Sequence, residues 1–124
     1  LHVRRGDYLR FPTIHPFIGL DYINKSISLF DDYNILIFSD DFKWCKENIK
    51  KENVFYVDEK LEDYQQLWLM SLCEHNIISN SSFSWWGSYL NKNENKIVIA
   101  PKMWFGKDSC NDTKDMYIKE MIKI

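Results

Sequence analysis

The chain of 124 residues contains no apolar run close to the roughly 20 residues that a membrane-spanning helix needs. It does not open with a basic end followed by an apolar stretch, the pattern of a secretory signal. Its 16 basic and 18 acidic residues give a formal net charge of −2, which provides no general attraction to nucleic acid or anionic lipid. Any anion-binding site in this chain must therefore be local.

Sulfur ligands and closely spaced carboxylates are also scarce. The three cysteines, Cys45, Cys73 and Cys110, are far apart and form no CxxC pair, so the sequence predicts no zinc site. No Asp-x-Asp spacing occurs, which is the arrangement that would let two carboxylates address a Mg²⁺–diphosphate. We therefore predict no metal ligands in this chain.

The sequence contains enough apolar residues to form the hydrophobic core of one domain. Hydrophobic residues make up 45% and aromatic residues 16% of the chain. The chain starts at Leu1, inside an apolar run, rather than at a methionine. We interpret residues 1–124 as one domain of a longer protein, truncated at its N-terminus.

Short continuous apolar runs alternate with helical spacings along the chain. Runs without in-out alternation are typical of strands buried on both faces of a parallel sheet. They are Leu1–Val3, Ile35–Phe38, Val54–Val57, Ile77–Ile78 and Ile97–Ala100. The alternation predicts an α/β fold, with a parallel sheet, right-handed crossovers and helices on both faces.

Apolar residues three and four apart predict one buried face for each intervening helix. The four series are Leu20, Ile23, Ile27 and Phe30; Phe42, Cys45 and Ile49; Leu61, Tyr64, Trp68 and Leu72; and Phe83, Trp86 and Leu90. A last helix is predicted from Met116 to Ile124, with Ile118, Met121 and Ile122 facing inward.

The unusual polar clusters follow the predicted strands. In an open parallel sheet, ligands bind beyond the carboxyl ends of the strands, which share one edge. The clusters there are Arg4-Arg5-Gly6-Asp7, Ser39-Asp40-Asp41, Asp58-Glu59-Lys60, Ser79-Asn80-Ser81-Ser82 and Pro101-Lys102-Met103-Trp104. The sequence therefore predicts that this edge carries the functional site.

The two arginines predict a diphosphate site. A guanidinium presents a rigid fork of donors that matches phosphate oxygens and keeps its charge. The alternative is a surface ion pair between Arg4 or Arg5 and Asp7. His2, in the strand before them, is either a satisfied core histidine or part of the site. Arg5-Gly6-Asp7 also spells an integrin tripeptide, but a strand end is not an exposed loop tip.

The cluster after the fourth strand leads directly into a helix. Helix N-termini carry free N–H groups and partial positive charge, which suit a phosphate. Asn80 or Ser81 can also cap this helix. Of the pair Asp40 and Asp41, one is expected to cap the helix that starts at Phe42, and the other to accept hydrogen bonds from a base or sugar. Trp85 either packs in the core or lines a ligand cleft.

Together these motifs resemble the donor-binding half of glycosyltransferase family 11, the α-1,2-fucosyltransferases. The run from His2 to Asp7 matches the family's HxRRxD motif, and the run Ile78 to Gly87 reinforces the match. The resemblance implies a Rossmann-like sheet that forms the C-terminal half of a GT-B-like enzyme. It also implies GDP-fucose as donor, inversion of the sugar's anomeric configuration, and no metal or other cofactor.

The resemblance also implies roles for individual residues. Arg4 and Arg5 would contact the diphosphate and, with Asp7, serve catalysis. The remaining donor-binding residues would be His2, Asp40, Ser81 and Ser82, with Asp40 addressing the guanine. The acceptor would be a galactose-terminated glycan that receives fucose on its 2-hydroxyl.

The resemblance leaves the acceptor half outside this chain. It implies a cytoplasmic enzyme, peripheral at the inner membrane of a bacterium, with no nucleic-acid partner. The alternative is a fragment that binds GDP or a nucleotide sugar without turning it over. A phosphatase or nucleotidyltransferase would need a nucleophile or metal-binding carboxylates at a strand end, and Cys73 lies within a helical pattern instead.

Overall fold

Strands and helices alternate in the computed structural model, which describes residues 1–124. The elements are β1 (His2–Val3), α1 (Gly19–Ile27), β2 (Ile35–Ser39), α2 (Phe42–Asn48), β3 (Val54–Tyr56), α3 (Asp63–Ser71), β4 (Asn76–Ile77), α4 (Ser82–Leu90), β5 (Val98–Ala100) and β6 (Met121–Lys123). Short 3-10 helices cover Asp7–Arg10 and Ser28–Phe30. None of the helices combines the length and apolar character needed to cross a bilayer.

The strands form two three-stranded parallel sheets, β1-β2-β3 and β4-β5-β6. The prediction of one continuous sheet was therefore wrong. β1 and β4 have two residues each, and side chains make the link between them: Nδ1 of His2 lies 2.8 Å from Oγ of Ser79. The hydroxyl of Tyr22 donates to the carbonyl of Ile78 at 2.7 Å, so this edge carbonyl has a partner without a neighbouring strand.

The relative order of the strands locates the ligand-binding edge. Placed edge to edge through the contact between β1 and β4, the strands follow the order β3-β2-β1-β4-β5-β6. This is the order of doubly wound nucleotide-binding folds, in which ligands bind where the strand order reverses. The predicted α/β class is confirmed, and the architecture is consistent with a Rossmann-like fragment.

Apolar side chains cover both faces of the first sheet. Ile35 and Ile37 of β2 join the largest buried cluster, which also holds Ile23 and Ile27 of α1. Phe38 points the other way and packs with Met70 of α3. Successive strand residues point to opposite faces, so β2 needs apolar cover on both sides. Helices therefore lie on both faces, as the sequence predicts.

The predicted helix faces were only partly right. Ile23 and Ile27 of α1 and Cys45 of α2 are buried, as expected from their spacing. The series on α3 was wrong, because Tyr64 and Trp68 have exposed fractions of 72% and 65%. This face of α3 points away from the core, and the helix contributes Met70 to the core instead.

The predicted face of α4 was also wrong. Trp86 is 49% exposed, whereas the small residues Ser84, Gly87 and Ser88 are buried. A Cβ atom built on Gly87 would lie 2.8 Å from Cγ of Met70, and closer still to its sulfur. The two helices thus approach through a residue without a side chain. Hydrophobicity alone does not identify such a face.

The end of the chain is a strand rather than the predicted helix. Residues Met121–Lys123 form β6, which pairs in parallel with β5. Met121 is buried, whereas Ile122 is 51% exposed and Lys123 is also exposed, so a single residue of this short edge strand enters the core. The backbone of β5 needs partners on this side, and Ile124 donates its N–H to the carbonyl of Ala100 at 3.1 Å. Pairing with β5 therefore overrides the local helical spacing.

We predict that Gly87→Ala destabilises the chain even though alanine is the better helix former. Overpacking a buried contact costs about 1–3 kcal/mol, against a gain of about 1 kcal/mol in helix propensity. We expect a net loss of up to about 2 kcal/mol in the free energy of unfolding, measured by urea denaturation. In a Met70→Ala background the same substitution should cost less, since the clashing side chain is gone. Equal costs in both backgrounds would contradict the close approach.

Candidate active site

A polar cavity of about 300 Å³ lies where the ends of β1 and β4 meet. The structure brings together a subset of the residues that the sequence predicted for the site. They are His2, Arg4, Asp40, Ser81 and Ser82. They come from three different strand ends, so their convergence is a product of the fold. Arg5 and Asp7 do not line this cavity.

Arg4 is held at the cavity by two carboxylates. Its Nη2 donates to Oδ2 of Asp7 at 2.9 Å, and its Nε lies 3.4 Å from Oδ2 of Asp40. Burial opposes the charge, but the hydrogen bond to Asp7 and the charges of Asp40 and Asp7 outweigh it and raise the pKa of Arg4 above its ordinary value. The surface ion pair and the cavity position, which the sequence left as alternatives, are thus both present.

Asp40 is fixed by the turn that follows β1. Its Oδ1 accepts the backbone N–H of Arg5 at 2.8 Å. A Cβ atom on Gly6 would lie 2.9 Å from Oδ2 of Asp40, so the missing side chain of Gly6 allows the carboxylate to approach this closely. Both oxygens of Asp40 are therefore in use: one binds the backbone and the other faces Arg4.

Arg5 points away from the cavity, although it follows Arg4 directly. Its Nη1 donates to Oδ2 of Asp41 at 2.5 Å, and its guanidinium carbon lies 4.9 Å from the centre of the Trp44 ring. Consecutive residues of an extended chain point to opposite sides, which separates the two arginines. Asp41 also caps α2, because its Oδ1 accepts the backbone N–H of Trp44 at 3.1 Å. This is the cap that the sequence predicted for one of the two aspartates.

The N-terminus of α4 opens on the cavity without a side-chain cap. Ser81 occupies the N-cap position, but its side chain makes no capping hydrogen bond. Asn80 turns inward, and its Nδ2 donates to the carbonyls of Pro16 and Trp104, each at 2.9 Å. Capping by Asn80 or Ser81 was therefore a wrong expectation. The first turn keeps unpaired N–H groups and partial positive charge, as a phosphate site requires.

His2 is buried in the floor of the cavity. Its ring lies between Oγ of Ser79 and the ring of Phe83, whose centre is 5.5 Å away. Burial in the first place, and also the positive charge of Arg4, lower the pKa of His2 to about 3. The imidazole is therefore neutral at physiological pH. It joins the two sheets and also lines the cavity.

Five lining residues were not among the predicted site residues, although Ser39 belongs to the polar cluster predicted after the second strand: Tyr8, Ser39, Asp63, Gln66 and Phe83. Tyr8 donates its hydroxyl to the carbonyl of Asn80 at 2.9 Å and connects the segment after β1 to the end of β4. Asp63 and Gln66 lie in the first turn of α3, after the polar cluster at Asp58 that the sequence indicated. The position of the first turn of α3 after the carboxyl end of β3 is the sequence feature that could have indicated these two residues.

Trp85 does not line the cavity. Its Nε1 donates to the carbonyl of Met116 at 2.7 Å, and its ring packs against the buried cluster that includes Trp104 and Met121. Of the two roles that the sequence left open, core packing is the one the structure shows.

We predict that His2 makes the chain less stable as the pH falls. The unfolded chain binds a proton at His2 near the ordinary value of 6.5, whereas the folded chain does so only near 3. Between these values the unfolded state holds the extra proton, so acid favours unfolding. The slope contributed by His2 approaches about 1.4 kcal/mol per pH unit. In His2→Asn, urea unfolding from pH 7 to pH 4 should show a correspondingly smaller slope; parallel curves for the two proteins would contradict the buried neutral imidazole.

Sequence comparisons identify the family of this chain. The family described as Glycosyl transferase family 11 matches residues 1–124. The chain is 40% identical over 129 residues to the O-antigen biosynthesis glycosyltransferase WbnK of Escherichia coli, covering 95% of the chain and 43% of that protein. It is 33% identical to an Escherichia coli alpha-1,2-colitosyltransferase, over 90% of the chain and 42% of the relative.

A mammalian relative is more distant. The galactoside 2-alpha-L-fucosyltransferase SEC1 of Bos taurus is 30% identical over 73% of the chain and 27% of its own length. The chain therefore spans less than half the length of these relatives. No solved structure matches the sequence. The match to the family over the whole chain shows that this protein belongs to glycosyltransferase family 11.

Proposed function

We propose that this chain is the donor-binding part, and the C-terminal half, of a GT-B-like enzyme that transfers fucose from GDP-fucose to the 2-hydroxyl of a galactoside. The transfer inverts the anomeric configuration and uses no metal ion. The relatives named as fucosyltransferases support the sugar and the linkage. The name of the colitosyltransferase supports a second candidate, in which the same site accepts a related sugar.

One observation carries this proposal: Arg4 and the uncapped N-terminus of α4 face the same cavity, where the ends of β1 and β4 meet. A guanidinium and free helix N–H groups are two means by which proteins bind phosphate without a metal ion. A cavity of about 300 Å³ is within the range of ligand pockets. Nucleotide binding therefore accounts for the position, the charge and the size of the site.

These groups also fit the chemistry of transfer. The bond between C1 of fucose and the β-phosphate oxygen breaks, while the acceptor's 2-hydroxyl oxygen bonds to C1 from the opposite face and gives its proton to a base. Negative charge develops on the departing GDP, and fixed donors placed where that charge develops lower the barrier. Arg4 supplies the fixed positive charge. Ser81 and Ser82 form the N-terminus of α4, which supplies the free N–H groups. Asp7 and Asp40 hold Arg4 in position.

The chain alone is proposed to bind the donor better than it turns it over. It covers 43% of its Escherichia coli relative, so the remaining length is available to hold the acceptor and the base. Calorimetry with GDP tests the binding site, and a fucose-transfer assay on lactose tests turnover. GDP binding with little transfer is the expected result for the chain alone. A folded chain that does not bind GDP at millimolar concentration would overturn the proposal.

The working location of the whole protein is part of the same proposal. We place it in the bacterial cytoplasm, peripheral at the inner membrane, where a nucleotide sugar meets a growing surface glycan. The relative named for O-antigen biosynthesis supports this placement.

We predict that Arg4→Ala and Arg5→Ala change different properties: the first changes GDP binding and transfer, the second changes stability. Arg4→Ala should weaken GDP binding and slow transfer by the full-length protein roughly 10²–10³-fold, the cost of losing one fixed donor. Arg5→Ala should mainly lower the thermal midpoint, since it removes the contacts to Asp41 and Trp44. The exposed Arg10 gives a matched control, Arg10→Ala, which should change neither property.

Calorimetry with GDP and thermal melts of these variants test whether Arg4 binds the ligand and Arg5 stabilises the fold. The separation of the two roles is refuted if Arg4→Ala binds GDP like the unaltered protein, or if Arg5→Ala loses GDP binding while melting normally.

We predict that removing divalent metal ions with a chelator leaves the rate of fucose transfer unchanged. If Arg4 and the α4 N-terminus neutralise the diphosphate, the full-length protein should keep its rate in excess EDTA, measured by release of GDP. Loss of activity in EDTA that returns with Mg²⁺ would show that a cation takes part and that these groups alone are insufficient.

A further inference from the structure

We infer that Asp63 and Gln66 read the base of the bound nucleotide and select guanine. This inference rests on the proposed function, because it assigns a part of the donor to a part of the same cavity. Both residues lie in the first turn of α3 and line the cavity with Arg4 and Ser82. They were absent from the predicted site.

The carboxylate of Asp63 is free to bind a ligand. Two carboxylates line the cavity. Asp40, which the resemblance would have address the guanine, already uses its oxygens for the backbone of Arg5 and for the side chain of Arg4. The carboxylate of Asp63 is exposed and makes no ion pair within the chain. An ionised carboxylate only accepts hydrogen bonds and repels a diphosphate. Asp63 therefore suits a part of the nucleotide that donates hydrogen bonds.

Gln66 adds a second acceptor on the same helix face. Its Nε2 donates to the carbonyl of Leu61 at 2.9 Å, which fixes the amide and leaves Oε1 without a partner in the chain. Residues three apart on a helix are neighbours, and both Asp63 and Gln66 line the cavity. The first turn of α3 thus offers acceptors side by side.

Guanine is the base that matches this pattern. Its Watson–Crick edge carries adjacent donors, the N1–H and the exocyclic N2 amino group. Adenine and cytosine present a ring-nitrogen acceptor beside one amino group, and uracil flanks its single N3–H with two carbonyls. Asp63 and Gln66 would face unpaired acceptors on these bases, and a site built to receive hydrogen bonds rejects ligands that lack the donors.

The test compares nucleoside diphosphates that differ at these donors, by calorimetry with the 124-residue chain. GDP should bind about tenfold or more tightly than IDP, which lacks the N2 amino group, because a hydrogen bond to a carboxylate is worth about that factor. In Asp63→Asn, GDP should bind about 10–100-fold more weakly, and the preference for GDP over IDP should fall. The new amide should donate to the 2-carbonyl of xanthine, so XDP should bind more tightly to Asp63→Asn than to the unaltered chain.

Control variants separate base reading from charge and folding. Asp58→Asn removes the same charge from the connection before α3, outside the cavity, and should leave the ratio of GDP to IDP affinity unchanged. Gln66→Met removes the second acceptor and keeps the size of the side chain; it should weaken GDP more than IDP. It also gives an independent readout if Asp63→Asn folds poorly, which thermal melts would show.

The possible outcomes distinguish the two proposals. If the folded chain binds none of the diphosphates, the proposed donor site fails. If it binds GDP, IDP and ADP equally, or if Asp63→Asn and Gln66→Met keep the unaltered preference, the donor site stands and the assignment of guanine to α3 is overturned.

Discussion

The contact between the ends of β1 and β4 is the interaction on which the rest of the site depends. Nδ1 of His2 and Oγ of Ser79 lie 2.8 Å apart in the interior and join two small sheets that share no backbone ladder. This contact brings the turn after β1, with Arg4, against the start of α4. A buried polar pair of this kind is stable only while both partners are present, since either one alone would be left without a hydrogen bond. The geometry of the cavity is therefore tied to the cohesion of the fold.

Both guanidinium groups near the cavity are paired with carboxylates before any ligand binds. Asp7 and Asp40 flank Arg4, and Asp41 pairs with Arg5. These carboxylates hold the guanidinium groups in fixed positions in the free protein. Preorganisation of this kind reduces the reorganisation required when a charged ligand arrives. The consecutive arginines share a motif, but their different carboxylate partners give them different surroundings.

The packing of the helices shows how far a pattern of hydrophobic residues can be trusted. The faces of α1 and α2 follow their apolar spacing, because those helices cover the sheet directly with residues such as Ile23 and Cys45. The contact between α3 and α4 does not follow the apolar spacing. The two helices approach most closely where Gly87 meets Met70, and Trp68 and Trp86 remain exposed. Close helix approach favours small residues, and a search for apolar spacing overlooks them. The final strand was missed for a related reason, since the open edge of β5 sets its conformation.

The sequence by itself determined the α/β class, the strand ends that carry polar clusters, the capping of α2 by one of two aspartates and the family to which the chain belongs. These properties follow from local periodicity and from motifs of contiguous residues. The tertiary structure alone decided that Arg4 faces the cavity while Arg5 does not, and that Asp63 and Gln66 complete its wall. The direction of a side chain at a strand end, and the meeting of residues more than fifty positions apart, depend on how strands and helices pack. No spacing along the chain encodes that packing directly.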